Sequence, residues 1–180
     1  MIIEVICSGF GGQGALTVGK FLSLAAMKEG KDVSWLPSYG PEMRGGTANV
    51  AVVISDKQIA SPLVSNPNLL IALNKPSVDK FGPMIKPDGL MIANSDMCPE
   101  KLDREDIEEI YAPMSSIATE IGSTKILNMV SLGVLIGKTG LVKFETVERD
   151  LKEILGKKNP ALLEANLKAI AKGIEIGERS

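Results

Sequence analysis

Two irregular segments hold the residues from which chemistry could be built. The first is Cys7-Ser8-Gly9-Phe10-Gly11-Gly12-Gln13-Gly14, and four of its last six residues are glycine. Gly9, Gly11 and Gly14 satisfy G-x-G-x-x-G between an apolar run and a helix-like run. Glycine permits positive φ and lets a ligand approach the backbone closely. A helix starting here would aim unpaired N–H groups and its positive dipole end at an anion. A phosphate or pyrophosphate cradle is one reading; a tight strand-to-helix turn with no ligand is the other.

The second segment is Ser38-Tyr39-Gly40-Pro41-Glu42-Met43-Arg44-Gly45-Gly46. Proline and three glycines forbid a regular element here. The chain has four arginines: Arg104 and Arg149 are flanked by acids, Arg179 is next to the last residue, and only Arg44 lies in a permissive loop. Its guanidinium could fork onto a phosphate or carboxylate, or pair with Glu42 to order the loop. Tyr39 can anchor a ligand or cap the core, and Met43 suits packing against a partner chain.

Composition removes several classes of function. There is no histidine, which excludes a Ser-His-Asp or Cys-His nucleophile and histidine-ligated metals. The two cysteines, Cys7 and Cys98, form no C-x-x-C, and four thiolates are needed for a zinc or iron–sulfur site. Cys7 reads as a small buried residue at a strand end, with a reactive thiol beside the glycine loop as the alternative. A net charge of -2 and an aromatic fraction of 4% argue against a nucleic-acid surface. No apolar run approaches the roughly 18 residues of a membrane span. Met1-Ile2-Ile3-Glu4 lacks a signal peptide's basic start, so a cytoplasmic protein is expected.

The elements that must position these segments follow from periodicity. Ile2–Cys7 reads as a strand buried on both faces. From Gly12 to Glu29, Ala15, Val18, Leu22 and Ala25 recur at helical spacing, and Gly30 is a suitable stop. Val33–Leu36 is a second strand, so a βαβ unit with parallel pairing of the two strands is expected. In open α/β sheets ligands collect beyond the strands' carboxyl ends, which places both irregular segments at one cleft. Thr47–Ser55 is a strand, with Gln58–Ala60 as a possible hairpin return, and Leu69–Leu73 and Leu90–Ala93 are short strands. A strand over Ile107–Ala112 and helices over Pro76–Ile85, Pro113–Ile121, Ile126–Lys138, Phe144–Leu155 and Pro160–Ile176 follow. The acidic run Asp103–Glu109 reads as a solvated turn or helix start. Gly133 and Gly137 suggest close helix packing, because glycine otherwise costs about 1 kcal/mol against alanine. The expected fold class is α/β: a three-layer Rossmann-like domain with a mostly parallel sheet and helices on both faces. A single domain over residues 1–180, closing in a helical segment 157–180, is expected.

A nicotinamide or flavin site needs an acid at the end of the second strand for the ribose. Here that strand ends in Pro37-Ser38-Tyr39, Asp32 precedes it, and Glu42 comes late. An independent nucleotide-binding oxidoreductase therefore ranks low.

Taken together, Gly9-Phe10-Gly11-Gly12-Gln13-Gly14 and Tyr39-Gly40-Pro41-Glu42-Met43-Arg44-Gly45-Gly46, followed by Thr47-Ala48-Asn49, closely resemble the gamma subunit of 2-oxoacid:ferredoxin oxidoreductases. The form of the second motif is more similar to the 2-oxoglutarate and branched-chain branches than to the pyruvate branch. The resemblance implies oxidative decarboxylation of a 2-oxoacid to an acyl-CoA with reduction of ferredoxin. It implies thiamine diphosphate and Mg2+ between alpha and beta chains, iron–sulfur clusters in cysteine-rich parts elsewhere, and a ferredoxin-like delta partner. It implies that the gamma chain packs on the alpha chain near coenzyme A and holds no cofactor alone. The residues of both motifs become the candidate site, with no single catalyst among them. Isolated, the chain is expected to be inactive and could form a homodimer. A purely structural scaffold and the small chain of indolepyruvate oxidoreductase remain as alternatives.

Overall fold

The structure is a computed structural model that describes residues 1–38 and 47–180, and of Thr47 the backbone alone. Six strands form one sheet: β1 (Ile2–Phe10), β2 (Asp32–Ser38), β3 (Thr47–Ser55), β4 (Leu69–Ala72), β5 (Leu90–Asn94) and β6 (Glu108–Ala112). Among the described residues six α-helices accompany them: α1 (Ala15–Lys28), α2 (Lys75–Phe81), α3 (Met114–Ile121), α4 (Leu127–Thr139), α5 (Phe144–Leu155) and α6 (Pro160–Arg179). The strand order is β2-β3-β1-β4-β5-β6. The pairs β1–β4, β4–β5 and β5–β6 are parallel, whereas β1–β3 and β2–β3 are antiparallel. The architecture is the expected α/β sheet, parallel over most of its width.

The pairing of the first two strands differs from expectation. β1 and β2 point the same way, but β3 is inserted between them, antiparallel to both. The strand characters explain the insertion. Val50, Val52, Val53 and Ile54 of β3 are all buried, so β3 needs neighbours on both edges. β2 carries Pro37, which donates no hydrogen bond and is tolerated at a sheet edge. The insertion also removes the expected hairpin at Gln58–Ala60. Ser55 is already opposite Ile2 on one side and Asp32 on the other, so β3 has no free edge, and residues 58–60 form no strand.

The two faces of the sheet are covered unequally. Val5, Cys7, Val50, Val52, Ile71 and Ile92 join the larger core with α1, α3, α4, α5 and α6. Ile6, Leu70, Ala72, Met91 and Ala93 face a smaller core under α2 and Cys98. α2 ends at Phe81 and a 3₁₀ turn covers Gly82–Met84, earlier than the expected Ile85, because Pro83 cannot donate to the preceding turn. The acidic run is neither wholly turn nor helix: Glu108 and Glu109 open β6, opposite Leu90 and Met91. Arg104 pins the residues before it, donating to Asp106 Oδ1 at 2.8 Å and to the Ile85 carbonyl at 2.7 Å.

α4 and α6 run parallel and meet through glycines. Gly133 faces Ile170 and Gly173, Gly137 faces Ile174, and Gly177 faces Val134 and Lys138. Each helix thus carries a glycine pair four residues apart, where the backbones approach each other. α6 continues past Ile176 to Arg179, which brings Gly177 into this seam.

Candidate functional site

β1 carries the first motif into the sheet. The strand runs three residues beyond the expected Cys7, because Ser8, Gly9 and Phe10 stay opposite Asn49, Ala48 and Thr47. Gly9 is packed where a β-carbon would lie 3.0 Å from Leu73 Cβ and 2.9 Å from Gln13 Oε1. Gly11 and Gly12 are exposed in the turn that follows. Gly14 caps α1 with φ of 81°, and among the described residues no side chain caps the helix there. A side chain at Gly14 would be strained by that φ, and its β-carbon would lie 2.8 Å from Asn128 Cγ. Gly12, with φ of 93°, is likewise left-handed. The motif is thus a strand–turn–helix junction whose helix N-terminus has no side-chain cap among the described residues.

Gln13 turns inward. Its Oε1 accepts from the Phe10 N–H at 2.7 Å and from Asn74 Nδ2 at 3.2 Å. Its Nε2 donates to the Leu73 carbonyl at 3.3 Å. Asn74, fully buried, also caps α2 by accepting from the Ser77 N–H at 2.9 Å. Farther along the same edge, buried Asn94 donates to Ser115 Oγ at 2.9 Å and accepts from the Met114 N–H at 3.1 Å. Across α1, Asn128 Nδ2 donates to the Gly14 carbonyl at 3.2 Å. Asn74, Asn94 and Asn128 escape sequence reasoning, since lone asparagines have no telling periodicity. Only Asn74 left a trace: Asn-x-Pro is a helix-start signature.

Two cavities flank the start of α1. One, of about 310 Å³, is bounded by Phe10, Gly11, Gly14, Leu16, Thr17 and Ala48. The other, of about 450 Å³, opens among Gly12, Thr17, Lys20, Lys125, Asn128 and the apolar side chains of α5. Lys20 and Lys125 form no salt bridge among the described residues. Both lysines line the larger cavity, and a helix N-terminus with such neighbours suits an anion.

The second motif, Tyr39, Gly40, Pro41, Glu42, Met43, Arg44, Gly45 and Gly46, lies outside the described residues. Its two anchors are described. Ser38 ends β2 opposite Asn49, and Thr47 begins β3 opposite Phe10. The segment therefore leaves and re-enters the sheet at the edge that carries the glycine loop.

The cysteines are closed to chemistry. Cys7 is fully buried in the larger core, and burial pushes its thiol up to about 12. Cys98 is buried on the other face, and burial pushes its thiol up to about 11. The expected inert Cys7 is what the structure shows, because desolvation outweighs the nearby helix N-terminus.

Comparison with known proteins decides what this junction belongs to. The model of the pyruvate ferredoxin/flavodoxin oxidoreductase family matches residues 4–176. The chain belongs to that family. The ketoisovalerate oxidoreductase subunit VorA of Methanothermobacter marburgensis is 36% identical over 180 residues, which cover 99% of this chain and 37% of that relative. This chain thus spans little more than a third of that relative's length. The 2-oxoglutarate synthase subunit KorC of Methanocaldococcus jannaschii is 36% identical over 178 residues, covering 97% of this chain and 94% of KorC. Among solved structures, 2-oxoglutarate:ferredoxin oxidoreductase from Magnetococcus marinus, with 2-oxoglutarate, coenzyme A and succinyl-CoA bound, superposes with a TM-score of 0.91 at 25% identity, over 99% of this chain and 31% of that one.

A four-thiolate iron–sulfur cluster does not fit the cysteines of this chain. The chain has two cysteines, on opposite faces of the sheet, and a cluster needs four thiolates. Among the described residues no three His, Cys, Asp or Glu side chains gather to hold a metal ion. Among them, too, no helix is long and apolar enough to cross a membrane.

Proposed function

We propose that this chain is the gamma-type subunit of a cytoplasmic 2-oxoacid:ferredoxin oxidoreductase, which converts a 2-oxoacid and coenzyme A into an acyl-CoA while reducing ferredoxin. The observation that carries this reading is the nearly end-to-end match to KorC. It favours 2-oxoglutarate as the acid, and the VorA match supports 2-oxoisovalerate next. Alpha and beta chains supply thiamine diphosphate and the decarboxylation, and a ferredoxin-like delta chain takes the electrons onward. Exposed Met27, Trp35 and Leu36 on α1 and β2 support burial against another chain.

Within that complex the chain serves assembly and the coenzyme A side. Coenzyme A carries a pyrophosphate and a 3′-phosphate. The uncapped start of α1 offers backbone N–H groups to one phosphate, and the Arg44 guanidinium offers a fork to another. No residue of this chain forms or breaks a bond in this reading; its residues bind and orient. The missing ribose acid after β2 favours coenzyme A over a nicotinamide dinucleotide.

The test is titration of coenzyme A into the whole complex and into a complex reconstituted without this chain. The expected result is a large loss of affinity without it. Equal affinity in both would overturn the coenzyme A role and leave a scaffold.

A further inference from the structure

The glycine loop presents a puzzle of orientation. Five of its six residues have no polar side chain, yet the turn between Phe10 and Gly14 must keep one shape if its N–H groups are to meet a ligand together. A glycine-rich turn has more conformations to lose than any other, so something outside the glycines has to select one.

We infer that Gln13 is the positioning residue of this loop, and that its carboxamide holds the turn against the end of β4 rather than touching a ligand. This rests on the coenzyme A reading only for its kinetic consequence. The side chain reaches back under its own turn. It meets two donors through Oε1, the Phe10 N–H at 2.7 Å and Asn74 Nδ2 at 3.2 Å. It meets one acceptor through Nε2, the Leu73 carbonyl at 3.3 Å. Only one orientation of the amide serves all three, because turning it over would set N–H against N–H and oxygen against oxygen. The main chain closes the same ring, with the Gln13 N–H donating to the Phe10 carbonyl at 3.1 Å.

The partners are themselves held. The Leu73 N–H donates to the Ser8 carbonyl at 2.9 Å, which ties β4's end to β1. Asn74 Oδ1 accepts from the Ser77 N–H at 2.9 Å and from Ser77 Oγ at 2.7 Å. The Ser77 and Ser8 hydroxyls are 2.8 Å apart. Gln13 therefore joins the loop to a buried polar network at the start of α2. On the opposite side, Asn128 holds the Gly14 carbonyl. The Phe10 and Gln13 N–H groups are thus satisfied internally, while the first N–H groups of α1 have no intrahelical partner.

The inference makes a demand that neither a merely buried residue nor a ligand contact would make: Gln13 must both donate and accept. Gln13→Met keeps the length and loses both functions. Gln13→Glu keeps the acceptor and sets a second oxygen against the Leu73 carbonyl. In the assembled complex, hydrogen–deuterium exchange over Phe10–Gly14 is read beside KM for coenzyme A and kcat. Gln13→Met is expected to speed exchange there at least about fivefold and to raise KM several-fold with kcat nearly unchanged. Gln13→Glu should loosen the loop as well. Faster exchange with unchanged KM would keep Gln13 as the clamp and take down the coenzyme A reading. Unchanged exchange in the Met variant would overturn the inference, whatever the kinetics.

Discussion

Gly133 of α4 and Gly173 of α6 lie back to back: a β-carbon on Gly133 would stand 2.9 Å from the Gly173 α-carbon, and one on Gly173 would stand 2.8 Å from that of Gly133. Each would also overlap a carbonyl oxygen of the other helix, Ile170 or Val130. The contact is therefore backbone on backbone. No side chain can rotate away to relieve a substitution there.

Stability should report this directly. Gly133→Ala gains about 1 kcal/mol of helix propensity but forces α6 outward, and overpacking against backbone that cannot turn aside costs about 3 kcal/mol, the upper end of the usual range. The expected net loss is about 2 kcal/mol, or roughly 4–8 °C in Tm for a chain of this size. Gly173→Ala should behave alike. Thermal denaturation with either variant at or above the parent Tm would contradict the seam.

Arg44 is the one arginine outside an acidic setting that sits in the second motif. If it meets a phosphate of coenzyme A, Arg44→Ala in the reconstituted complex raises KM for coenzyme A. If it orders a subunit contact, the variant fails to assemble. Steady-state kinetics and gel filtration read both effects. Normal KM in an intact complex would dismiss both roles.

The two thiols should be silent in the folded chain. With Cys7 pushed up to about 12 and Cys98 to about 11 by burial, almost no thiolate exists at pH 8. Iodoacetamide is expected to label neither until the chain is unfolded, when both react. Fast labelling of native Cys7 would show that the strand end opens.

Asp106 should contribute to acid sensitivity. Its hydrogen bond from Arg104 holds the carboxyl below the ordinary 3.8. A depressed folded value means the pair stabilises the fold fully above 3.8 and loses that contribution as pH falls through the lower, folded value. Stability of the parent should therefore fall on acidification below about pH 4, and Asp106→Asn should flatten that part of the curve. Asp106 is half-exposed, so the effect is small. Identical acid limbs for parent and variant in a Tm-against-pH series would refute it.

How much was readable beforehand varied with the range of the interaction. Helix and strand identities came from local spacing, and α3, α4 and α5 fall within a residue or two of their expected ends. Gly133 and Gly137 signalled a close approach, but Gly173 sat unnoticed in the most regular helix and Gly177 lay just beyond its expected end. The position of β3 was not legible. Alternation along Ala48–Ile54 marks a strand, while its neighbours depend on which edges the other strands leave open. Gln13 was read as a ligand contact because it stands within a glycine motif. Its inward turn depends on Leu73 and Asn74, some sixty residues away.

The inserted strand has a consequence for how the protein comes into being. The glycine loop and the return of the second segment are joined by the Phe10–Thr47 and Gly9–Ala48 rungs, which bridge nearly forty residues of chain. Long-range pairing of this kind forms slowly, since the loop must close before contacts reward it. A nascent chain that has made α1 but not yet threaded β3 between its neighbours lacks the wall that Ala48 gives the cavity at the loop. Closure of that cavity and completion of the sheet are one event in time.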